Sequence, residues 1–146
     1  MEDESKLVRA LLRRDWESYN SYLEKLEAQG KGTPVATIGY ACYIAARQRF
    51  AEQRSPEEII RFVAEARATL AEGRNLPARE AEAVMYAMLD MEMPDVDEIV
   101  DGLDVGIIAE IQGQLLFKLV LDAELTDEQL DSLLLEAEQI VNQSDR

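Results

Sequence analysis

The chain has 146 residues, of which 47% are apolar and 31% charged, and its formal net charge is −15. This composition is typical of one globular domain with its own core and excludes a disordered chain, so residues 1–146 are predicted to form a single domain with disorder only at 1–4 and 143–146; the helix starts described below predict that this domain is all-helical. The charge disfavours direct binding to nucleic acid or to an anionic membrane. A single cysteine and an acidic N-terminus without signal-peptide order favour a cytoplasmic location.

The charge is divided unevenly along the chain. Residues 1–79 carry 13 Lys and Arg against 12 Asp and Glu, whereas residues 80–146 carry two cations, Lys118 and Arg146, against 18 acids. Such asymmetry indicates either a basic partner or basic surface elsewhere on the same molecule.

The first predicted helical region covers residues 6–29. If it is one continuous helix, Asp15 lies within an apolar stripe and needs a buried partner. If the helix breaks at Arg13 and Arg14, Asp15 caps a second helix by accepting from free N–H groups of the first turn. We favour the cap.

Similar helix starts recur along the chain. Ser55 (followed by Pro56) and Asp95 repeat the pattern of Asp15 at intervals of 40 residues, and Thr126 has the capping-box spacing to Gln129. Between these starts, second helices are predicted from Thr33-Pro34 to about Phe50, from Pro77 to about Met91, and from about Val105 to Ala123. The sequence therefore predicts an all-α fold of seven or eight helices, stacked as antiparallel hairpins in a short repeat array or packed as a compact bundle.

Two segments resemble the second helices of tetratricopeptide repeats: residues 15–26, which include Trp16 and Tyr22, and residues 58–66. Ile38-Gly39 resembles the Leu-Gly pair of that family's first helix. The match covers about a third of the chain, and its 40-residue spacing differs from the family's 34. The resemblance implies binding of a peptide or protein on a concave helical surface, with no enzymatic activity.

Catalytic and metal-binding chemistry is poorly represented. Histidine is absent, which removes the usual general base and the commonest metal ligand. Cys42 lies in an apolar segment and is predicted to be a buried core residue. We therefore predict no catalytic residue and no cofactor.

Acidic side chains suggest two metal sites, neither of which we favour. The pairs Glu24/Glu27 and Glu98/Asp101 give the alternative hypothesis of a Mg²⁺-dependent hydrolase of phosphate compounds. We interpret them instead as solvated helix faces. A calcium loop starting at Asp97 fails because isoleucines occupy two ligand positions, so no metal site is predicted.

Two groups of residues are candidate binding sites. The aromatic group either packs in the core or lines a groove for an apolar anchor of a partner, and it comprises Trp16, Tyr19, Tyr22, Tyr40 and Tyr43. The acidic group would stand in for phosphates on a cationic surface, and it comprises Asp95, Asp97, Glu98, Asp101 and Asp104.

These features predict a non-catalytic protein–protein interaction module whose acidic second half binds a basic protein or peptide. A specific variant is an inhibitor or immunity-type protein that covers the cationic site of a nucleic-acid-binding protein. The apolar segment 115–121 and the apolar stripe of residues 130–141 either close the core or form a homodimer seam, and we favour the first.

Overall fold

The structure, a computed structural model, describes residues 1–144. Those residues form eight α-helices, one 3₁₀ turn (Gly73–Asn75) and no strand, which confirms the all-α prediction. The helices are α1 (Asp3–Leu12), α2 (Trp16–Ala28), α3 (Val35–Arg49), α4 (Pro56–Thr69), α5 (Ala78–Met88), α6 (Val96–Asp101), α7 (Val105–Ala123) and α8 (Asp127–Ser144). Within residues 1–144, no helix combines the length and the apolar character needed to cross a bilayer.

Helix α3 lies at the centre of the bundle. It packs most extensively against α7 and α8, and it also contacts α1 and α5. Its alanines, among them the fully buried Ala41 and Ala46, allow close packing because they add little side-chain bulk. Helix α8 buries Leu130, Leu133 and Leu134 and closes the core. The arrangement is the compact bundle, one of the two predicted.

Hydrogen bonds between a side chain and a nearby backbone N–H form where the sequence predicts that α2 and α4 begin. The chain leaves α1 at Arg14, whose φ is 56°, and Asp15 Oδ1 then accepts from the Ser18 N–H at 3.3 Å. Ser55 Oγ accepts from the Glu58 N–H at the same distance. Asp15 is therefore a helix cap and not a buried carboxylate, as favoured from the sequence.

Asp95 is the exception among the predicted caps. Helix α6 begins directly after it, but Asp95 adopts a left-handed conformation (φ 66°) and its side chain makes no capping bond. The next helix is capped by Asp104, whose Oδ1 accepts from the Ile107 N–H at 3.0 Å.

The chain termini differ from the disorder expected at 1–4 and 143–146. Asp3 and Glu4 form the first turn of α1, because the Glu2 N–H and the Ser5 hydroxyl both donate to Glu138 Oε1, at 2.7 Å and 2.9 Å. Residues 143 and 144 continue α8, while residues 145 and 146 lie outside the described part of the chain.

Thr126→Ala is expected to lower the free energy of unfolding by about 1 kcal/mol. Thr126 Oγ1 accepts from the Gln129 N–H at 3.2 Å, and Gln129 Oε1 accepts from the Thr126 N–H at 2.9 Å, so the substitution opens a complete capping box. Urea denaturation measures the loss. Thr126→Ser keeps the hydroxyl, and an equal loss in that variant would show that the hydrogen bond is not the cause.

Candidate binding surface

The five candidate aromatic residues lie in two places. Trp16, Tyr19 and Tyr22 are on α2, which packs against α1 at the edge of the bundle. Trp16 and Tyr19 stack edge to face with ring centroids 5.6 Å apart. Tyr40 and Tyr43 are on the central helix α3 and line a groove that the α2 residues do not reach. The structure thus separates the predicted aromatic group into a peripheral stack and a groove pair.

We call the groove beside Tyr40 and Tyr43 the tyrosine groove. It has a volume of about 480 Å³ and runs between α3, the end of α5 and the start of α7. Its lining is almost entirely apolar: Val35, Ala36, Gly39, Tyr40 and Tyr43 of α3, Met88 of α5, and Val105, Ile108, Ala109 and Gln112 of α7.

Gly39 allows α3 and α7 to approach closely beside this groove. A methyl group added at Gly39 would come within 3.1 Å of Gln112 Oε1, so the two helices already approach closely at that point. The walls are left uncovered, since Val105 is 68% exposed and Tyr43 is 37% exposed. Neighbouring exposed apolar side chains around a concavity are characteristic of binding sites.

The candidate acidic residues lie on α6 and the turns on either side of it. We call residues 92–104 the acidic segment. Asp95, Asp97, Glu98, Asp101 and Asp104 are all exposed, and none forms an ion pair with another residue of 1–144. Asp104 immediately precedes Val105, which lines the tyrosine groove. One end of the acidic segment therefore borders the apolar groove.

Other acids of the second half are paired within the molecule. Cations of the first half approach acids of the second at 3.0 to 3.3 Å in four ion pairs: Arg9–Asp131, Arg13–Asp127, Arg47–Asp90 and Arg49–Asp122. Part of the charge asymmetry therefore serves to join the two halves of the fold. The acidic segment is one part of the second half that such pairing leaves free among residues 1–144.

The four carboxylates of the alternative hypothesis lie on two different helices. Glu24 and Glu27 lie on α2, whereas Glu98 and Asp101 lie on α6. Across residues 1–144, no three Asp, Glu or Cys side chains form a group placed to hold a metal ion. Cys42 is completely buried, which confirms its predicted core position, and burial raises the pKa of its thiol.

Sequence reasoning misses most of the groove. Val35, Val105 and Ile108 belong to neither predicted group, and Met88 lies on a third helix. The only local signal is the occurrence of Val105, Ile108 and Ala109 at spacings that share one helical face.

No protein-family model, curated protein sequence or solved structure matches the chain. The tetratricopeptide resemblance stays a prediction.

Proposed function

We propose that the protein is a non-catalytic binding module for a basic protein or peptide, which inserts an apolar side chain into the tyrosine groove. The observation that carries the proposal is the position of the unpaired acidic segment, which ends at Asp104 beside the exposed wall residue Val105. Acidic surface and apolar surface therefore lie next to each other, where one partner would contact both.

The two features would make different contributions to binding. The exposed carboxylates of the acidic segment would attract a basic partner and increase the association rate, an effect that salt weakens. The groove would supply most of the affinity, because burial of an apolar anchor removes its surface from water. The expected partner segment is a large aliphatic or aromatic residue flanked by Lys and Arg.

An inhibitor or immunity-type role is the specific form of this proposal. Carboxylates spaced along α6 and its flanking turns would occupy positions that phosphates take on a cationic protein surface. A cytoplasmic setting, suggested by the single cysteine, belongs to the same proposal.

Selection of a random peptide library on the immobilised protein tests the proposal. We expect enrichment of peptides with an apolar anchor beside Lys or Arg. Their binding should weaken about tenfold in the triple variant Asp95→Asn/Asp97→Asn/Asp101→Asn, since a few lost charge interactions amount to about 1.4 kcal/mol.

The matched control changes charge equally at another place. Glu17→Gln/Glu24→Gln/Glu27→Gln removes three exposed acids of α2 that form no ion pair within residues 1–144. This variant should retain nearly full affinity. Equal weakening by both triple variants would mean that net charge alone attracts the peptides, and the proposed site would be rejected.

The groove is tested separately by Val105→Ser. Val105 is already 68% exposed, so the fold should tolerate the change, while lost apolar contact should weaken selected peptides several-fold. Leu121→Ser, an exposed position of the same helix outside the groove, is the control. Peptides that bind both variants as tightly as the parent protein would exclude the groove.

A further inference from the structure

One amide side chain, that of Gln112, lies in the lining of the tyrosine groove. The other lining residues are Gly39 and side chains that are apolar or aromatic. Gln112 Oε1 is the atom nearest to the position that a Cβ would take at Gly39, at 3.1 Å. This oxygen therefore lies against the groove wall, along the line where α3 and α7 meet.

The protein leaves the Gln112 carbonyl oxygen without a donor. Gln112 Nε2 makes one weak bond to Met88 Sδ at 3.9 Å, whereas Oε1 accepts no hydrogen bond from residues 1–144. Among the half-buried and buried residues of that range, Gln114 Oε1 is the one side-chain oxygen or nitrogen that is both fully buried and unpartnered. Gln112 is half-buried and its Oε1 is not in that state, so this oxygen keeps accessible surface. A donor that enters the groove can reach it.

An anchor that fills the groove would remove water from this oxygen. A leucine or phenylalanine anchor has no donor to replace that water, so the acceptor would become buried and unpaired, which is unfavourable. An anchor that carries a donor avoids this loss. The groove therefore distinguishes large side chains by their ability to donate a hydrogen bond as well as by their size.

Tryptophan meets this condition and leaves no polar group of its own unpaired. Its indole has one N–H donor and no acceptor, so a single acceptor satisfies it. A tyrosine hydroxyl is also an acceptor and would need a second partner. A lysine ammonium has three donors and a charge, whereas this lining contains no carboxylate. Tryptophan also has a large apolar surface to bury and is frequent among the residues that dominate binding energy.

Two walls of the groove are held in place from outside it. Arg47 does not line the groove, yet its guanidinium stacks on the Tyr43 ring at 5.2 Å and donates to the Met88 backbone oxygen at 3.3 Å. A ring that enters the groove therefore meets walls that are already ordered, which reduces the entropy lost on binding.

We propose that the anchor of the partner is a tryptophan, whose indole N–H donates to Gln112 Oε1 while its ring packs between α3 and α7. This inference rests on the proposed function and specifies the side chain that the basic partner inserts. Gln112 determines the specificity of the groove, and the apolar walls supply affinity that any large anchor would share.

Four synthetic peptides test the inference on the parent protein. They have the form acetyl-Lys-Arg-Xaa-Arg-Lys-amide, where Xaa is tryptophan, benzothienylalanine, phenylalanine or leucine. Benzothienylalanine keeps the shape of tryptophan but has sulfur in place of the N–H. Titration calorimetry should show that the tryptophan peptide binds about tenfold more tightly than the benzothienylalanine peptide, because the second leaves Gln112 Oε1 unpaired.

Gln112→Met tests the acceptor itself. Methionine is apolar and of similar length, so the affinities of the tryptophan and benzothienylalanine peptides should come within about twofold of each other. Gln114→Met makes the same change on the same helix outside the tyrosine groove, and the tenfold preference should remain. The comparison of peptides on the parent protein does not depend on the folding of either variant.

Equal affinities of the tryptophan and benzothienylalanine peptides for the parent protein would overturn the inference, as would a full preference in Gln112→Met. Library selection of basic peptides anchored by leucine or phenylalanine, with affinities that fall in Val105→Ser, would overturn it while the proposed function stands. If Val105→Ser weakens no peptide, the proposed function fails and the inference fails with it.

Discussion

Leu115→Ala is expected to lower the free energy of unfolding by about 3 to 4 kcal/mol, far more than truncation of an exposed side chain on the same helix. Leu115 is completely buried in α7, and α7 contacts α3, α5, α4 and α1. Truncation removes apolar contacts on several sides and leaves a cavity that these helices would have to close together. Guanidinium denaturation followed by circular dichroism measures the loss.

Leu121→Ala is the control for this prediction. Leu121 lies on the same helix and is 54% exposed, so its truncation should change the free energy of unfolding by no more than about 0.5 kcal/mol. Similar losses at the two positions would mean that α7 is not enclosed by the other helices as described.

Asp122→Asn is expected to cost about 3 kcal/mol, because it leaves a buried ammonium group without its counter-charge. The Lys118 side chain is only 8% exposed, and its Nζ donates to Asp122 Oδ1 at 2.9 Å. The other carboxylate oxygen accepts from Arg49 at 3.3 Å. Arg49 is more exposed, so loss of its bond should matter less.

A double-mutant cycle separates burial from pairing. Lys118→Met removes the cation but keeps an apolar chain of similar length, and replacement of a buried ion pair by apolar residues is often close to neutral. Asp122→Asn should therefore cost much less when combined with Lys118→Met than alone. Purely additive losses in thermal unfolding would contradict the proposed dependence of Lys118 on Asp122.

Helix boundaries are the most predictable part of the fold. The range predicted for α7, residues 105–123, is the one observed. Asp15, Ser55 and Thr126 each cap the helix that the sequence predicts them to cap. Each of these bonds joins a side chain to a backbone group three residues away. Such contacts depend on the local sequence, which is why spacing alone identifies them.

Helix partners are not predictable in the same way. Nothing local in α3 indicates that its main contacts are α7 and α8, because that choice depends on how whole apolar faces fit together. The same limit applies to the candidate sites. Tyr40 and Asp104 belong to separate groups in the sequence, and only the packing of α7 on α3 brings the tyrosine groove to the end of the acidic segment.

The fold distinguishes two kinds of acidic residue in the second half of the chain. The positions of charges along the sequence do not distinguish acids that form ion pairs within the bundle from acids that are available to a partner. Asp90, Asp122, Asp127 and Asp131 pair with arginines of the first half, whereas Asp95, Asp97 and Asp101 have no such neighbour within residues 1–144. Mutations aimed at partner binding should therefore be confined to the second group, because those in the first would also loosen the fold.

The central position of α3 has a consequence for biosynthesis. Its buried face, which includes Ile38, Ala41 and Cys42, is covered mainly by α7 and α8, and α8 ends at residue 144, 95 residues after α3 ends at residue 49. At translation rates of about 5 to 20 residues per second, the ribosome needs about 5 to 20 seconds to produce those helices. Until α7 has been made, α3 therefore lacks the helix that it contacts most extensively, and the rest of its apolar face is covered only when α8 follows.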